Sequence, residues 1–253
     1  MLVSIAQAQI FFLALTRVFA ILIHIPVLGG SSIPSQVRLG FGLLLTLVLV
    51  PWQILPATTE AIPLLGFALA ILRELIIGTL AGFAADLTFG AVQIAGEMMS
   101  AGAGFSSGRI LNPLIGESGS AMDQLFTMTA LLLFLVIDGH HIFLLAMRRS
   151  FEIIPLVGAM PAFSGDTLIN LTVQLIRIGI QMSLPVVGAL LLTDITLGLL
   201  ARVAPQIQVF FLGLPAKIGL GLIAFSLSLA ILMPKIADYL RTIGPWMLKL
   251  LGS

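Results

Sequence analysis

Residues 62–104 read IPLLGFALAILRELIIGTLAGFAADLTFGAVQIAGEMMSAGAG. The one proline, Pro63, stands at the start, and after it only glycines interrupt the run. A helix tolerates proline in its first turn and single glycines further in, so the stretch predicts one long helix. Arg73, Glu74, Asp86 and Glu97 are its only charged residues, set among Leu, Ile, Ala, Phe and Gly. A helix that is apolar nearly all round is solvated by lipid or by other apolar helices.

The rest of the chain has the same character. Of 253 residues, 59% are hydrophobic and 9% charged, and the mean hydropathy is +1.16. Soluble domains carry about 25% charged residues. Twelve cations and eleven anions cannot solvate a soluble surface of this size, which excludes a water-soluble globular enzyme. Disordered chains are poor in apolar residues, so disorder is excluded too. The net charge of +1 offers no electrostatic footprint for nucleic acid. There is no cysteine, hence no disulfide, thiolate metal site or cysteine nucleophile. The three histidines, His24, His140 and His141, do not make a histidine-rich metal centre. Neither G-x-S-x-G, H-E-x-x-H nor a P-loop occurs, and no catalytic, cofactor or metal site is assigned. Asp138-Gly139-His140-His141 reads as a polar turn at a helix end.

The fold expected is an all-α membrane protein, a single domain over 1–253 built of long kinked helices and helical hairpins. A spanning helix needs about 20 apolar residues. Six apolar blocks are found, at 5–28, 39–55, 61–84, 124–137, 168–192 and 218–233. Pro185 lies inside a run that extends to Arg202, where it kinks a helix rather than ending it. Breaks are expected at the Pro- and Gly-rich stretches 26–34, 51–56, 102–119, 155–165 and 205–215, and at Pro234. No Lys or Arg precedes the first block and Arg17 lies within it, so a retained first helix is expected, not a cleaved signal peptide. With six crossings, one side would hold Arg148, Arg149, Lys235, Arg241 and Lys249, and the other Arg38, Arg109, Arg202 and Lys217. Five cations against four give no positive-inside bias, as expected of helices that do not simply cross a bilayer.

An ionisable group at bilayer depth costs about 2.5–3.5 kcal/mol and normally has a partner or a function. Arg17, Arg73, Glu74, Asp86, Glu97 and Asp194 lie in apolar blocks or their continuations, and Arg202 follows Asp194 by eight residues. Asp86, Gln93 and Glu97 share one helix face, within about 40° of each other at 100° per residue. Three roles stay open for that stripe: glue between packed helices, an ion or proton relay, or a face toward a water-filled lumen or charged partner. Gly78 and Gly82 form a G-x-x-x-G, continued in spacing by Gly96, Ser100 and Gly104. Such faces let helix backbones approach closely, within the chain or between subunits.

Segment 102–119 carries five glycines and an apolar tip at Ile110–Ile115. Loops normally face water and are polar, so this tip must bury itself in lipid, in a partner or in a pore.

The stretch Leu192–Lys217, with Asp194, Leu197-Gly198, Arg202, Pro205-Gln206, Phe210 and Gly213-Leu214-Pro215, resembles the FliR family of flagellar type III export-gate subunits and its injectisome relatives. Glu74-x-x-x-Gly78-x-x-x-Gly82, Gln93 with Gly96-Glu97, Arg17 with Pro26, Pro34 and Arg38, and Gly139-His140 extend the resemblance along nearly the whole chain. Gln208, Leu214 and Asn112 depart from residues common in the family. The resemblance implies a non-enzymatic subunit at the flagellar basal body of the bacterial inner membrane. It implies assembly with FliP-type and FliQ-type subunits, an FlhB-type partner near the entrance, and passage of unfolded protein substrates through a lumen. It also implies that the loop holding Phe105, Gly108, Ile110, Leu111, Pro113, Leu114, Ile115 and Gly116 is an internal plug. Arg17, Arg73, Glu74, Asp86, Gln93, Glu97, Asp194, Arg202 and Gln206 are read as assembly contacts, and Gly78, Gly82, Gly96 and Gly198 as packing positions. The competing readings are a virulence injectisome subunit and a transporter or channel acting alone.

Overall fold

The computed structural model describes residues 4–25, 33–49, 61–105, 120–158, 160–161, 163–206 and 208–252. Among these, all regular secondary structure is helical. The helices are α1 (Ile5–Leu22), α2 (Ser35–Leu49), α3 (Leu64–Gly102), α4 (Ala121–Val136), α5 (Gly139–Ile153), α6 (Gly165–Val203), α7 (Val209–Leu240) and α8 (Ile243–Leu250).

Helix ends follow local chemistry. Ser4 accepts a hydrogen bond from the Gln7 amide while the Gln7 side chain accepts from the Ser4 amide, a reciprocal cap that starts α1. Ser120 caps α4 through the Asp123 amide. Gly104 has φ 84°. The Phe105 amide donates to the Ser100 carbonyl and the Gly104 amide to the Ala101 carbonyl. This is a Schellman end, and glycine takes its left-handed position without a Cβ clash. Gly104 therefore ends α3 rather than extending its small-residue face. Asp138, at φ 57°, divides the apolar run into α4 and α5.

Helix lengths differ from the six-block expectation. At 1.5 Å per residue, α3 and α6, each 39 residues, are about 58 Å long. That is nearly twice a hydrocarbon thickness of about 30 Å. The 15-residue α2 reaches only about 22 Å and falls short of it. Among the described residues, four helical segments are long and apolar enough to cross a membrane, α1, α3, α6 and Phe211–Leu250, and α4 with α5, bent by 70°, make a fifth if taken as one span. The break expected at Pro234 is absent, since α7 runs from Val209 to Leu240 with Pro215 and Pro234 inside. Leu232, Ile236 and Leu240 are buried at steps of four, so packing on one face spans the proline and offsets the lost hydrogen bond.

The chain divides into two compact units, Met1–Thr88 with Asp138–Leu171 and Arg241–Ser253, and Phe89–Ile137 with Thr172–Leu240. In the first, α1 packs on α2 and α5 on α8. Its core includes Leu13, Val18, Ile21, Ile77, Met147 and Met247. In the second, α4 packs on α7. Phe89 meets Phe134 and Phe126 meets Phe225 edge-to-face, at centroid distances of 5.2 and 5.9 Å.

Small residues dominate the buried face of α3, while Asp86, Gln93 and Glu97 stay on its exposed face. Its buried positions include Ile77, Ala81, Ala84, Ala85, Thr88, Ala91, Ala95 and Met99, whereas Leu64, Leu65, Leu69, Leu72, Leu75 and Ile76 are exposed. Small residues let helices close on each other where lipid competes equally for the large ones. A Cβ on Gly78 would lie 2.5 Å from the Ala20 Cβ and 2.7 Å from the Arg17 carbonyl oxygen. One on Gly82 would meet His24 and the Ile21 carbonyl at 3.0 Å. Gly78→Ala is expected to destabilise the protein by about 1–3 kcal/mol, since helix backbone cannot yield. Gly188→Ala, with nothing within 4 Å of the new Cβ, is the neutral control. Thermal melts in detergent should separate the two, and equal melts would dismiss the close-approach argument.

Candidate functional site

The sequence-flagged charges Arg17, Arg73 and Glu74 converge in one centre of the first unit. Arg17 on α1 and Glu74 on α3 are fully enclosed, with Arg17 Nε 2.5 Å from Glu74 Oε2. Arg73 Nη1 reaches Glu74 Oε1 at 2.8 Å. Arg17 Nη1 donates to the carbonyl oxygens of Ser150 and Ile154 at 2.9 and 2.8 Å. Arg73 Nη1 donates to Pro155 and Leu156, both at 3.1 Å. The Arg17 guanidinium also lies over the Phe151 ring, 4.6 Å from its centroid.

Two cations and one anion leave a surplus positive charge. It is met by carbonyls at and beyond the last turn of α5. The Ser150 carbonyl also accepts from the Ile154 amide, whereas the carbonyls of Ile154, Pro155 and Leu156 lie beyond the helix, and the helix dipole favours cations there. The centre therefore fixes where α5 ends relative to α1 and α3. Gly78 completes it, because its missing Cβ lets α3 lie against the Arg17 backbone.

The other flagged residues do not join this centre. Asp86, Gln93 and Glu97 are exposed on α3, and none of the three side chains is hydrogen-bonded among the described residues. Asp194 pairs with Lys217, its two carboxylate oxygens 2.8 and 3.0 Å from Nζ, and so ties α6 to α7. The sequence sets Asp194 beside Arg202, but eight residues of helix separate their backbones by about 12 Å. Arg202 and Gln206 are exposed. A Cβ on Gly96 would come 2.6 Å from Asp123 Oδ1, whereas one on Gly198 would meet nothing within 4 Å. Asp138 and His141 sit at the exposed turn opening α5, with 3.7 Å between Oδ1 and Nδ1.

Of the loop residues, Phe105 is half-buried at the end of α3. Gly108, Ile110, Leu111, Pro113, Leu114, Ile115 and Gly116 lie outside the described residues. The base of that loop is described. The Ser100 and Ser120 hydroxyls hydrogen-bond across it, joining the last turn of α3 to the cap of α4. Sequence reasoning missed this clasp, the Lys217 partner of Asp194, and Gln9, which exchanges two 2.8 Å hydrogen bonds with the Ile62 backbone. Only the S-x-x-D spacing of Ser120 and Asp123 gave a signal, as a helix start.

Comparison with known proteins places this architecture. Residues 8–243 match the family described as bacterial export proteins, family 1. The chain belongs to that family. It is 32% identical to the flagellar biosynthetic protein FliR of Caulobacter vibrioides over 88% of this chain and 90% of that one. Against the protein of the same name from Escherichia coli K12 it is 32% identical, covering 91% and 87%. The Yop proteins translocation protein T of Yersinia pestis is 29% identical, covering 81% and 80%. Among its described residues, the most enclosed charges are Arg17 and Glu74.

Glu74→Ala should lower stability by about 3–5 kcal/mol, because it leaves Arg17 buried and uncompensated. Arg17→Met combined with Glu74→Leu removes both charges and should recover much of that loss. The check is the melting temperature in detergent and the amount held in the membrane fraction. An unchanged melt for Glu74→Ala would remove the centre from its structural role.

Proposed function

We propose that this protein is the FliR-type subunit of a flagellar type III export gate in the bacterial inner membrane, and that it performs no catalysis. The family match over residues 8–243 carries the reading. Helices of about 58 Å support it, since lipid of about 30 Å cannot cover them and neighbouring subunits can. So do the exposed apolar faces of α6 and α7, where Val203, Phe211 and Leu227 stand more than two-thirds exposed. Surfaces of this kind are interfaces. The neighbours in this reading are FliP-type and FliQ-type subunits, with an FlhB-type partner near the entrance, and unfolded flagellar proteins pass through the shared lumen. Asp86, Gln93 and Glu97 then face that lumen or a polar partner. The flagellar proteins of Caulobacter vibrioides and Escherichia coli match over more of the chain, at higher identity, than the Yersinia translocation protein does, which favours the flagellar role over an injectisome.

In this reading the apolar tip Ile110–Ile115 is a plug. Its support is the apolar, glycine-hinged sequence between two fixed ends, the Gly104 helix end and the Ser100–Ser120 clasp. Deleting residues 106–115 should leave the assembled complex intact but leaky to ions in liposomes. A deleted complex as tight as the intact one refutes the plug. A protein that purifies as a stable monomer or symmetric homo-oligomer, and never with partners, refutes the gate-subunit reading and supports a transporter acting alone.

The Asp194–Lys217 pair is partly exposed, and such pairs contribute about 0–1 kcal/mol. Asp194→Ala should therefore fold normally yet reduce co-purification of partner subunits. The charge swap Asp194→Lys with Lys217→Asp distinguishes the mechanism. Restored co-purification means the pair acts inside this chain, and continued loss means that one of the two meets a partner.

A further inference from the structure

Asp138-Gly139-His140-His141 reads in the sequence as a polar turn, and neither the buried centre nor the loop uses it. In the structure Asp138, His140 and His141 each offer one ligand atom, and the three atoms lie within 4.8 Å of one another. Among the described residues no other three His, Asp or Glu side chains converge in this way. Neighbouring residues on a helix ordinarily diverge, by about 100°. The imidazoles of His140 and His141 nevertheless face each other, with 4.6 Å between centroids and 30° between planes.

Asp138 completes the group because its backbone is left-handed, at φ 57°, a conformation that Asp tolerates better than most residues. An Asp at the start of a helix ordinarily accepts a hydrogen bond from an amide of the first turn. This carboxylate makes none, and stands instead 3.7 Å from His141 Nδ1, beyond hydrogen-bond length. His140 Nδ1 is enclosed and has no hydrogen-bond partner among the described residues. Two imidazoles and a carboxylate, with no hydrogen bond among them, are a donor set for zinc.

We propose that this turn binds a zinc ion, held by one carboxylate oxygen of Asp138 and one ring nitrogen each of His140 and His141, with water in the fourth position. Bonds of about 2.0–2.1 Å in a tetrahedron set ligand atoms about 3.3 Å apart. Side-chain rotation reaches that spacing, because Asp138 and His141 are 73% and 69% exposed. The ion replaces a surface pairing that contributes little, and it gives the His140 ring a partner. The start of α5 is the positive end of its dipole and disfavours a cation, but that effect is weak at an exposed terminus and the Asp138 carboxylate opposes it. Bound zinc ties Asp138, outside the helix, to the first turn of α5 and holds the left-handed residue in place. The proposal is independent of the export reading.

The test uses the full chain with whatever subunits co-purify, isolated in detergent through a histidine-free tag and stripped with a chelator. Zinc is added, the excess is removed, and the retained metal is counted by plasma mass spectrometry. The unaltered protein should retain one zinc per chain that His141→Gln lacks. Against a zinc indicator, His140→Gln and His141→Gln should each weaken binding by at least about tenfold, the least that loss of an outer-shell partner costs. Asp138→Asn keeps a residue suited to the left-handed turn and should weaken binding likewise, so misfolding does not account for the loss. His24→Gln, which alters the third histidine, should keep the zinc. Zinc should also raise the melting temperature of the unaltered protein and not that of Asp138→Asn. Equal zinc in the unaltered protein and His141→Gln overturns the proposal, as does full binding in Asp138→Asn. Zinc retained only by molecules that it has cross-linked, seen as larger assemblies on gel filtration, also overturns it.

Discussion

The Arg17–Glu74 ion pair is the constraint on which much of the first unit depends. Breaking such a pair leaves an uncompensated buried charge, and here the pair and the Nη1 donor of Arg17 tie α1 and α3 to the end of α5. Glu74 fixes α3 against α1. The second cation, Arg73, and the free arm of Arg17 then require carbonyl oxygens, and those come from Ser150 through Leu156. Helix α5 must end where it does for these oxygens to be available. Gly78 follows from the same demand, because a larger residue would hold the two helices too far apart for the pair to close.

The second unit is organised differently. Its core is aromatic and aliphatic, with Phe–Phe pairs and close glycine contacts, and its ion pair, Asp194–Lys217, is partly exposed. Loss of such a pair costs little in folding, which leaves it free to serve recognition. Gln93 and Glu97 of this unit lie on an exposed helix face, where an apolar protein keeps polar groups when something outside the chain meets them.

Much of this was legible in the sequence. The long helices could be read because residues 64–102 hold no proline, residues 165–203 hold only Pro185, and apolar residues dominate both. The polar turn at Asp138 and the charges that matter were legible because charge is so scarce. Helix limits were less so. Pro234 suggested an end, but packing of Leu232, Ile236 and Leu240 on one face outweighed one missing hydrogen bond. Pairing was least legible. Arg202 lies eight residues from Asp194 in the sequence, yet the partner of Asp194, Lys217, comes from the next helix.

By itself, then, the sequence determined the class: an all-helical chain whose solvent is apolar, with no equipment for catalysis at a cysteine, a P-loop or a metal-binding motif. Composition is enough for that, because solvation depends on how much polar surface exists and not on where it lies. Tertiary structure decided which charges meet, which glycines are filled by a neighbour, and which face of α3 turns inward. The stripe of Asp86, Gln93 and Glu97 marked an outward face of α3, but polarity alone would have turned the buried Glu74 outward too. Side-chain size and the backbone carbonyls of distant residues choose the face, and neither is visible until the helices are packed.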